Sequence, residues 1–390
     1  MIPIAYNLGS LGVRRRTTAT AVLGIALVVF VLAGALMLTA GIRRTLGSTG
    51  RADGALVIRK GSDAELSSNI DLATVGLILE GPEVRRSEKG AALGCGEVIV
   101  VTALEKIGTD GGVSNVNVRG VADNVWQVRP EAHIVDGVPA RAGTDEAVIG
   151  ARIRGRFKGV QLGQSVELRK GRPARIVGVF EAGGSSFESE IWADVDTVRT
   201  AFGREGLVSS TTVQLLSPES FDAFRARIEH DKNLGLEAMR ESIYYEKQSE
   251  NLAKFIGVLG VMISAFFSIG AMIGAMITMY ASVSNREREV GTLRALGFSR
   301  RSVLASFMLE ACLVSLLGGA VGCVASLALG VVKFSMINFA TWSEIVFVFQ
   351  PTAEILAIAM VSAVGMGVIG GFLPAIRAAR LRPVDAMRGE

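Results

Sequence analysis

Four stretches of this chain carry no charged residue: residues 17–42, 255–285, 311–332 and 355–376. Each is longer than the ~20 apolar residues an α-helix needs to cross a hydrocarbon core about 30 Å thick. Lipid offers no partner to backbone N–H and C=O groups, so such a stretch crosses only as a helix that satisfies itself. That constraint predicts spans at residues 17–42, 255–284, 302–332 and 355–376, with everything else distributed over two aqueous sides. The first stretch follows Arg14, Arg15 and Arg16 and has small residues near Ala40, as a signal peptide would. Its apolar core exceeds the ~7–15 residues usual there, so it is read as a span.

The basic residues orient these spans. Arg14–16 precede the first, Arg286, Arg288, Arg294, Arg300 and Arg301 lie between the second and third, and Arg377, Arg380, Arg382 and Arg388 follow the fourth. The positive-inside rule places both termini and residues 285–301 in the cytoplasm, with Arg43 and Arg44 as a minority on the other side. The net charge of +4 thus sits largely in juxtamembrane clusters. Membrane topology accounts for it, and no nucleic-acid partner is expected.

Residues 43–254, between the first two spans, fall outside and suffice to bury a core of their own. Short β-type runs recur at residues 55–58, 97–101, 113–121, 147–149, 165–168, 175–180 and 211–216, several bounded by Gly, Asp, Asn or Pro. Ser217, Pro218 and Glu219 read as a helix start, followed by Phe221, Phe224 and Ile228 at helical spacing. A second helix is expected over residues 236–254, leading into the second span. It is either a continuous rod that transmits rigid-body motion or a helix that merely abuts the membrane. The short outer loop, residues 333–354, carries Trp342, Phe347 and Phe349, read as anchors at the headgroup level. The expected fold is an α-helical membrane protein with four transmembrane helices plus a large α+β extracytoplasmic domain inserted between the first and second.

Catalytic parts are scarce. His133 and His230 are the only histidines and have no Cys or His at ligand spacing, so no metal site is expected. No Gly-x-x-x-x-Gly-Lys-Ser/Thr occurs, so the chain is not expected to bind or hydrolyse ATP itself. The serines and acids of the outer region leave a hydrolase reading open without assembling one. Cys95 is alone in that region, and Cys312 and Cys323 lie about 16 Å apart along a helix, beyond disulfide reach. Small residues four apart occur at Gly270 and Gly274, Gly318 and Gly322, and Gly367 and Gly371. They let helix backbones approach closely, either between two subunits or within one.

The charged segment 286–301 is the remaining constellation. As a helix it aligns Val290, Leu293 and Leu296 in an apolar ridge, while Arg286, Glu287, Arg288 and Arg294 point elsewhere. Gly297 is placed to end it and Ser299 to cap the helix that follows. The alternative is a solvated charged turn.

Its residues, Arg-Glu-Arg-Glu-Val-Gly-Thr-Leu-Arg-Ala-Leu-Gly-Phe-Ser-Arg-Arg, and the following Phe-Met-Leu-Glu-Ala and Leu-Leu-Gly-Gly, resemble the signature of the FtsX-like permease domain. This is the membrane half of MacB-type ABC systems. Ile-Ala-Tyr-Asn-Leu and Arg-Arg-Arg at residues 4–16, Leu-Pro-Ala-Ile-Arg-Ala-Ala at 373–379, Arg-Pro-Val-Asp-Ala at 382–386 and Glu-Ile-Trp-Ala at 190–193 are similar to other parts of that family. The resemblance implies an amphipathic helix over residues 1–16, a cytoplasmic tail over 377–390, and an outer domain with a distal lobe around residues 91–210.

It further implies that Arg286–Phe298, including Glu289, Gly291 and Ala295, forms a coupling helix docking on a separate ABC ATPase subunit. That partner would hold ATP and Mg; this chain would hold no cofactor. A second permease copy or paralogue, a periplasmic adaptor and an outer-membrane component are implied partners. A bacterial inner membrane, with the large domain in the periplasm, is the implied location. Glu310, about two turns into the third span, matches an acidic position of the family and is read as structural or coupling rather than proton-carrying. Three functions follow: an ATP-driven exporter of a hydrophobic, lipid, lipoprotein or peptide cargo, a regulator of an extracytoplasmic cell-wall hydrolase, or a membrane-anchored enzyme lacking visible machinery. The large outer domain favours the first.

Overall fold

A computed structural model describes residues 15–231, 234–338 and 341–381. The helix expected over residues 1–16 lies almost wholly outside these residues, as do Arg382 and the rest of the tail motif. The described residues fall into two units: Gly41–Ala253 with Lys333–Phe347 form the outer unit, and the others form a helical one. In chain order, the described elements begin with helix α1 (Arg15–Gly47), strands β1 (Gly54–Arg59) and β2 (Ile70–Asp71), helix α2 (Leu72–Leu79), and strands β3 (Gly94–Glu105) and β4 (Val113–Val121). The single turn α3 (Val125–Val128) precedes β5 (His133–Gly137), β6 (Glu146–Gly150), β7 (Ser165–Arg169), β8 (Arg172–Glu181) and β9 (Glu190–Asp194). Then come α4 (Val195–Phe202), β10 (Leu207–Val208), β11 (Ser210–Gln214), α5 (Phe221–His230) and β12 (Leu236–Arg240). The chain continues as α6 (Glu241–Ser284), α7 (Glu287–Ala295), α8 (Arg300–Leu327), β13 (Lys333–Asn338), β14 (Ser343–Val348) and α9 (Ala353–Arg380).

Among the described residues four helices, α1, α6, α8 and α9, are long and apolar enough to cross a membrane. Ile25, Val29, Ala33 and Met37 of α1 pack with Cys323 of α8 and Ala359, Ala363 and Met366 of α9. The small-residue pairs differ in use. A Cβ on Gly322 would lie 2.6 Å from the Ala26 carbonyl oxygen, so α8 approaches α1 through this glycine; Gly318 faces Ile25 in the same way. Added Cβ atoms on Gly367 and Gly371 would lie 2.3 Å from Ser315 Oγ and 2.4 Å from Ala311 Cβ. Two of the three pairs therefore close contacts within the chain. Gly270 and Gly274 on α6 have no heavy atom within 4 Å of an added Cβ.

In the outer unit, nine strands run in the order β12-β1-β11-β3-β4-β9-β6-β8-β5, with β7 paired on β8. Strand β3 joins the two halves: Gly94–Glu97 pair with β11 and Val98–Glu105 with β4. The runs read at 55–58, 97–101, 113–121, 147–149, 165–168 and 175–180 lie on strands, and the run at 211–216 overshoots β11, which ends at Gln214. Two expectations are overturned. Residues 236–240 are not the start of a helix; they pair antiparallel with β1 after a left-handed Gly235, and the helix begins at Glu241. Leu-Glu-Ala-Met-Arg is rich in helix formers, but a free sheet edge and burial of Leu236 and Ala238 prevail. The segment 333–354 is no bare loop either. Its strands pair as a hairpin, and Phe347 is fully buried rather than at a headgroup surface.

Inside this unit lies a buried charge network. Arg119 on β4 reaches Glu190 at 2.7 Å, Glu97 at 2.6 Å and Glu65 at 3.1 Å. Arg129 pairs with Glu97 and, at 3.0 Å, with Glu241 at the start of α6. Both guanidinium groups lie over the Phe187 ring, at 5.1 and 4.7 Å, beside Phe180, Trp192 and Tyr245. Burial pushes the Glu97 carboxyl up, but Arg129 and Arg119 outweigh it and hold it below the usual carboxylate range.

Two measurements follow. Gly371→Val is expected to lower the unfolding temperature of the full chain in detergent, since overpacking costs about 1–3 kcal/mol, whereas Gly274→Val has open space and leaves it nearly unchanged. The depressed Glu97 group contributes stability above its unfolded value of about 4.3 and loses it as pH falls through the folded value. The unfolding temperature should therefore drop on acidification below about pH 4, and Glu97→Gln should start lower at neutral pH and respond less.

Candidate functional site

The segment between α6 and α8 turns in a small space and uses every device the sequence offers. Helix α7 is nine residues long. It ends in a Schellman motif: Phe298 N–H donates to the Leu293 carbonyl at 3.1 Å and Gly297 N–H to that of Arg294 at 3.2 Å. Gly297 takes φ of 92°, a conformation that favours glycine. Arg294 Nη1 donates to the Phe298 carbonyl at 3.3 Å, and Ser299 Oγ accepts from Ser302 N–H at 3.2 Å to cap α8. The chain reverses within a few residues and presents α7 as a short, fixed rod.

What fixes it is Arg286. Helical spacing set this side chain off the apolar ridge with the other charges; in the structure its side chain is only 7% exposed. Its Nη1 donates to Glu310 Oε2 on α8 at 2.9 Å, its Nε to Glu289 at 3.1 Å, and the guanidinium lies 5.4 Å over the Phe307 ring. A positive charge beside long apolar helices persists when it has a carboxylate partner, and Glu310 supplies one. Glu310 also lines a cavity of about 60 Å³ with Thr18, Thr278 and Ser282.

The expected apolar ridge divides accordingly. Val290 and Gly291 are buried, Val290 against Val283, Val303 and Phe307; Glu287, Leu293, Arg294 and Phe298 are half-buried. Leu296 is 72% exposed, and Arg288, Glu289, Thr292, Ala295 and Gly297 are exposed with it. Arg286 holds α7 at its first turn, which rotates Val290 inward and leaves Leu296 on the outer side. The Arg286–Glu310 pair joins residues 24 apart, and no local periodicity announces it.

Long apolar helices, a short two-faced helix pinned between two of them and a separate α+β unit are the layout of a membrane permease. The model of the FtsX-like permease C-terminal family matches residues 261–383, and that of the MacB-like periplasmic core domain matches residues 18–231. The chain belongs to the MacB/FtsX-like family of ABC-transporter permeases. The macrolide export ATP-binding/permease protein MacB of Escherichia coli (strain K12) is 32% identical over 232 residues, 56% of this chain and 34% of that protein. The MacB of Shigella sonnei (strain Ss046) aligns with the same figures, 32% over 232 residues, 56% and 34%. The chain thus spans about a third of the length of the curated relatives it matches.

Two solved structures align with about half of the chain. The periplasmic region of MacB from Actinobacillus actinomycetemcomitans is 13% identical, covers 54% of this chain and 98% of its own, and has a TM-score of 0.38. The extracellular domain of the noncanonic ABC-type transporter YknZ from Gram-positive bacteria is 15% identical, with 48% and 99% coverage and a TM-score of 0.36.

A double-mutant cycle tests the Arg286 strut. Removing one partner of a buried pair costs about 3–5 kcal/mol, so Arg286→Met and Glu310→Gln should each destabilise the full chain, and the double variant by clearly less than their sum. Unfolding in detergent reads all four forms; strict additivity would place the two groups in separate environments.

Proposed function

We propose that this chain is the permease subunit of an ATP-driven MacB-type transporter. The observation that carries the reading is α7: a short helix bolted at Arg286 and exposing Arg288, Thr292, Ala295 and Leu296. A helix with one face locked and the other presented can receive a push without absorbing it. In this reading a partner ATPase holds ATP and Mg and grips the exposed face of α7. The four long helices cross the inner membrane with both termini in the cytoplasm. Motion passes through α8, to which Arg286 ties α7, and through α6, which follows the outer strand β12 directly.

The outer unit then works on a hydrophobic, lipid, lipoprotein or peptide cargo in the periplasm. A second copy or a paralogue completes the assembly, with Gly270 and Gly274 the small-residue pair open for it. A periplasmic adaptor and outer-membrane component would carry cargo onward. The second reading is an FtsX-like regulator, in which the same motion controls a cell-wall hydrolase; the permease match over residues 261–383 favours it equally well, and the large outer unit favours export.

Purification of the tagged full chain from its native membrane separates them. An ATPase recovered with an adaptor supports export, and an ATPase with a peptidoglycan hydrolase supports regulation; recovery of no ATP-binding protein sinks both. Leu296→Asp is expected to reduce stimulated ATP hydrolysis at least about tenfold, as loss of an interface anchor does, with membrane insertion and unfolding temperature unchanged. Full stimulation in that variant would remove α7 as the docking site.

A further inference from the structure

The hairpin β13–β14 belongs to the outer unit, yet both its ends run into helices of the other. Its fastening centres on Glu344, whose side chain is 3% exposed. One carboxylate oxygen accepts from Lys106 Nζ and from Ser114 Oγ, each at 2.5 Å, and the other accepts from Arg156 Nη2 at 2.8 Å. These donors come from the end of β3, from β4 and from the segment after β6.

Further bonds surround the clamp. Val346 accepts from Arg152 Nη1 at 2.7 Å and donates to Ser189 Oγ at 3.1 Å. Asn115 Nδ2 donates to the Trp342 carbonyl at 3.0 Å, and Asn338 Nδ2 to Gln248 Oε1 of α6 at 3.1 Å. Trp342 takes φ of 54°, a strained value for a bulky residue that persists where neighbouring contacts fix it. The Glu344 carboxyl is raised by burial and lowered further by Lys106, Ser114 and Ser335, and stands below the usual range.

The connections to the helices are short. A single 3-10 turn, Ala328–Val331, precedes β13, and β14 ends five residues before α9 begins. Chain this short, already partly ordered, has little slack to take up displacement. Midway along their lengths α8 and α9 pack through Ser315 and Gly367, and nearer its start α8 holds α7 through Glu310. We infer that Glu344 is a positioning residue through which the α8–α9 pair acts on the outer sheet, a mechanical input additional to α1 and α6. The inference rests on the proposed transporter reading for the source of motion, and on the Glu344 geometry for its delivery.

The experiment uses the full chain in lipid nanodiscs with the ATPase that co-purifies. Spin labels at Lys170→Cys on the outer unit and Val361→Cys on α9, with Cys312 replaced by serine, report their ATP-driven change in distance. Amide deuterium exchange reports the hairpin. In Glu344→Gln, amides of residues 333–347 should exchange at least about tenfold faster while those of β1, β11 and β12 hold, as release of one local unit requires. ATP hydrolysis should continue and the ATP-driven distance change should be lost.

Unchanged hairpin exchange would overturn the clamp. Fast exchange with an undiminished distance change would overturn its role in transmission. No distance change in the wild type would overturn the transporter reading and the transmission together. If Glu344→Gln also loosens β1, β11 and β12, the milder Lys106→Met and Arg156→Met variants carry the same expectations and the same refutations.

Discussion

Two arginines and four glutamates taken out of water in one place leave the outer unit little freedom in how it folds. An unpaired buried charge costs more than most single contacts return, so Arg119 and Arg129 must meet Glu65, Glu97, Glu190 and Glu241 together. These residues come from β3, β4, β9, the segments before β2 and after α3, and the first turn of α6. Meeting that requirement brings the two halves of the sheet into register and fixes where α6 begins. The aromatic wall of Phe187, Trp192 and Tyr245 excludes water and raises the stakes of every pair.

Much of this architecture was legible and some was hidden, for identifiable reasons. The four charge-free stretches could be read because lipid imposes a rule with few solutions. Strand β4 was read at its full length because its residues alternate and turn residues bound it. Leu236–Arg240 was misread because its helix-forming composition is local, whereas the edge of β1 that claims it lies far back in the chain. The Glu-Ile-Trp-Ala motif at 190–193 was visible as a motif without a job; its glutamate binds Arg119 and the Trp192 indole N–H. Arg286 was read only as lying off the apolar ridge, because helical spacing says nothing of a partner that sits on another helix. Glu344 gave no signal at all, since a lone acid in a short loop becomes a clamp only through Lys106 and Arg156.

The helical unit repeats the same economy with less charge. Among its described residues, Gly318, Gly322, Gly367 and Gly371 admit a neighbouring helix, and a buried ion pair closes the Arg286 corner. Close backbone packing leaves little room for the helices to shift past one another. The buried Arg286–Glu310 pair sits where α7 joins the bundle.

The division of the Arg286–Phe298 segment into inward and outward residues bears on fidelity among related systems. A cell holding several permeases and several ATPases must keep them from exchanging. Arg286, Val290 and Gly291 face their own chain and cannot serve as a badge of partnership. If α7 is the docking helix proposed above, recognition would fall to the exposed residues Arg288, Glu289, Thr292, Ala295, Leu296 and Gly297. Grafting those exposed positions alone onto another permease of this family would, in that reading, redirect its choice of motor, while a transplant of the whole signature would carry along residues tuned to the wrong bundle.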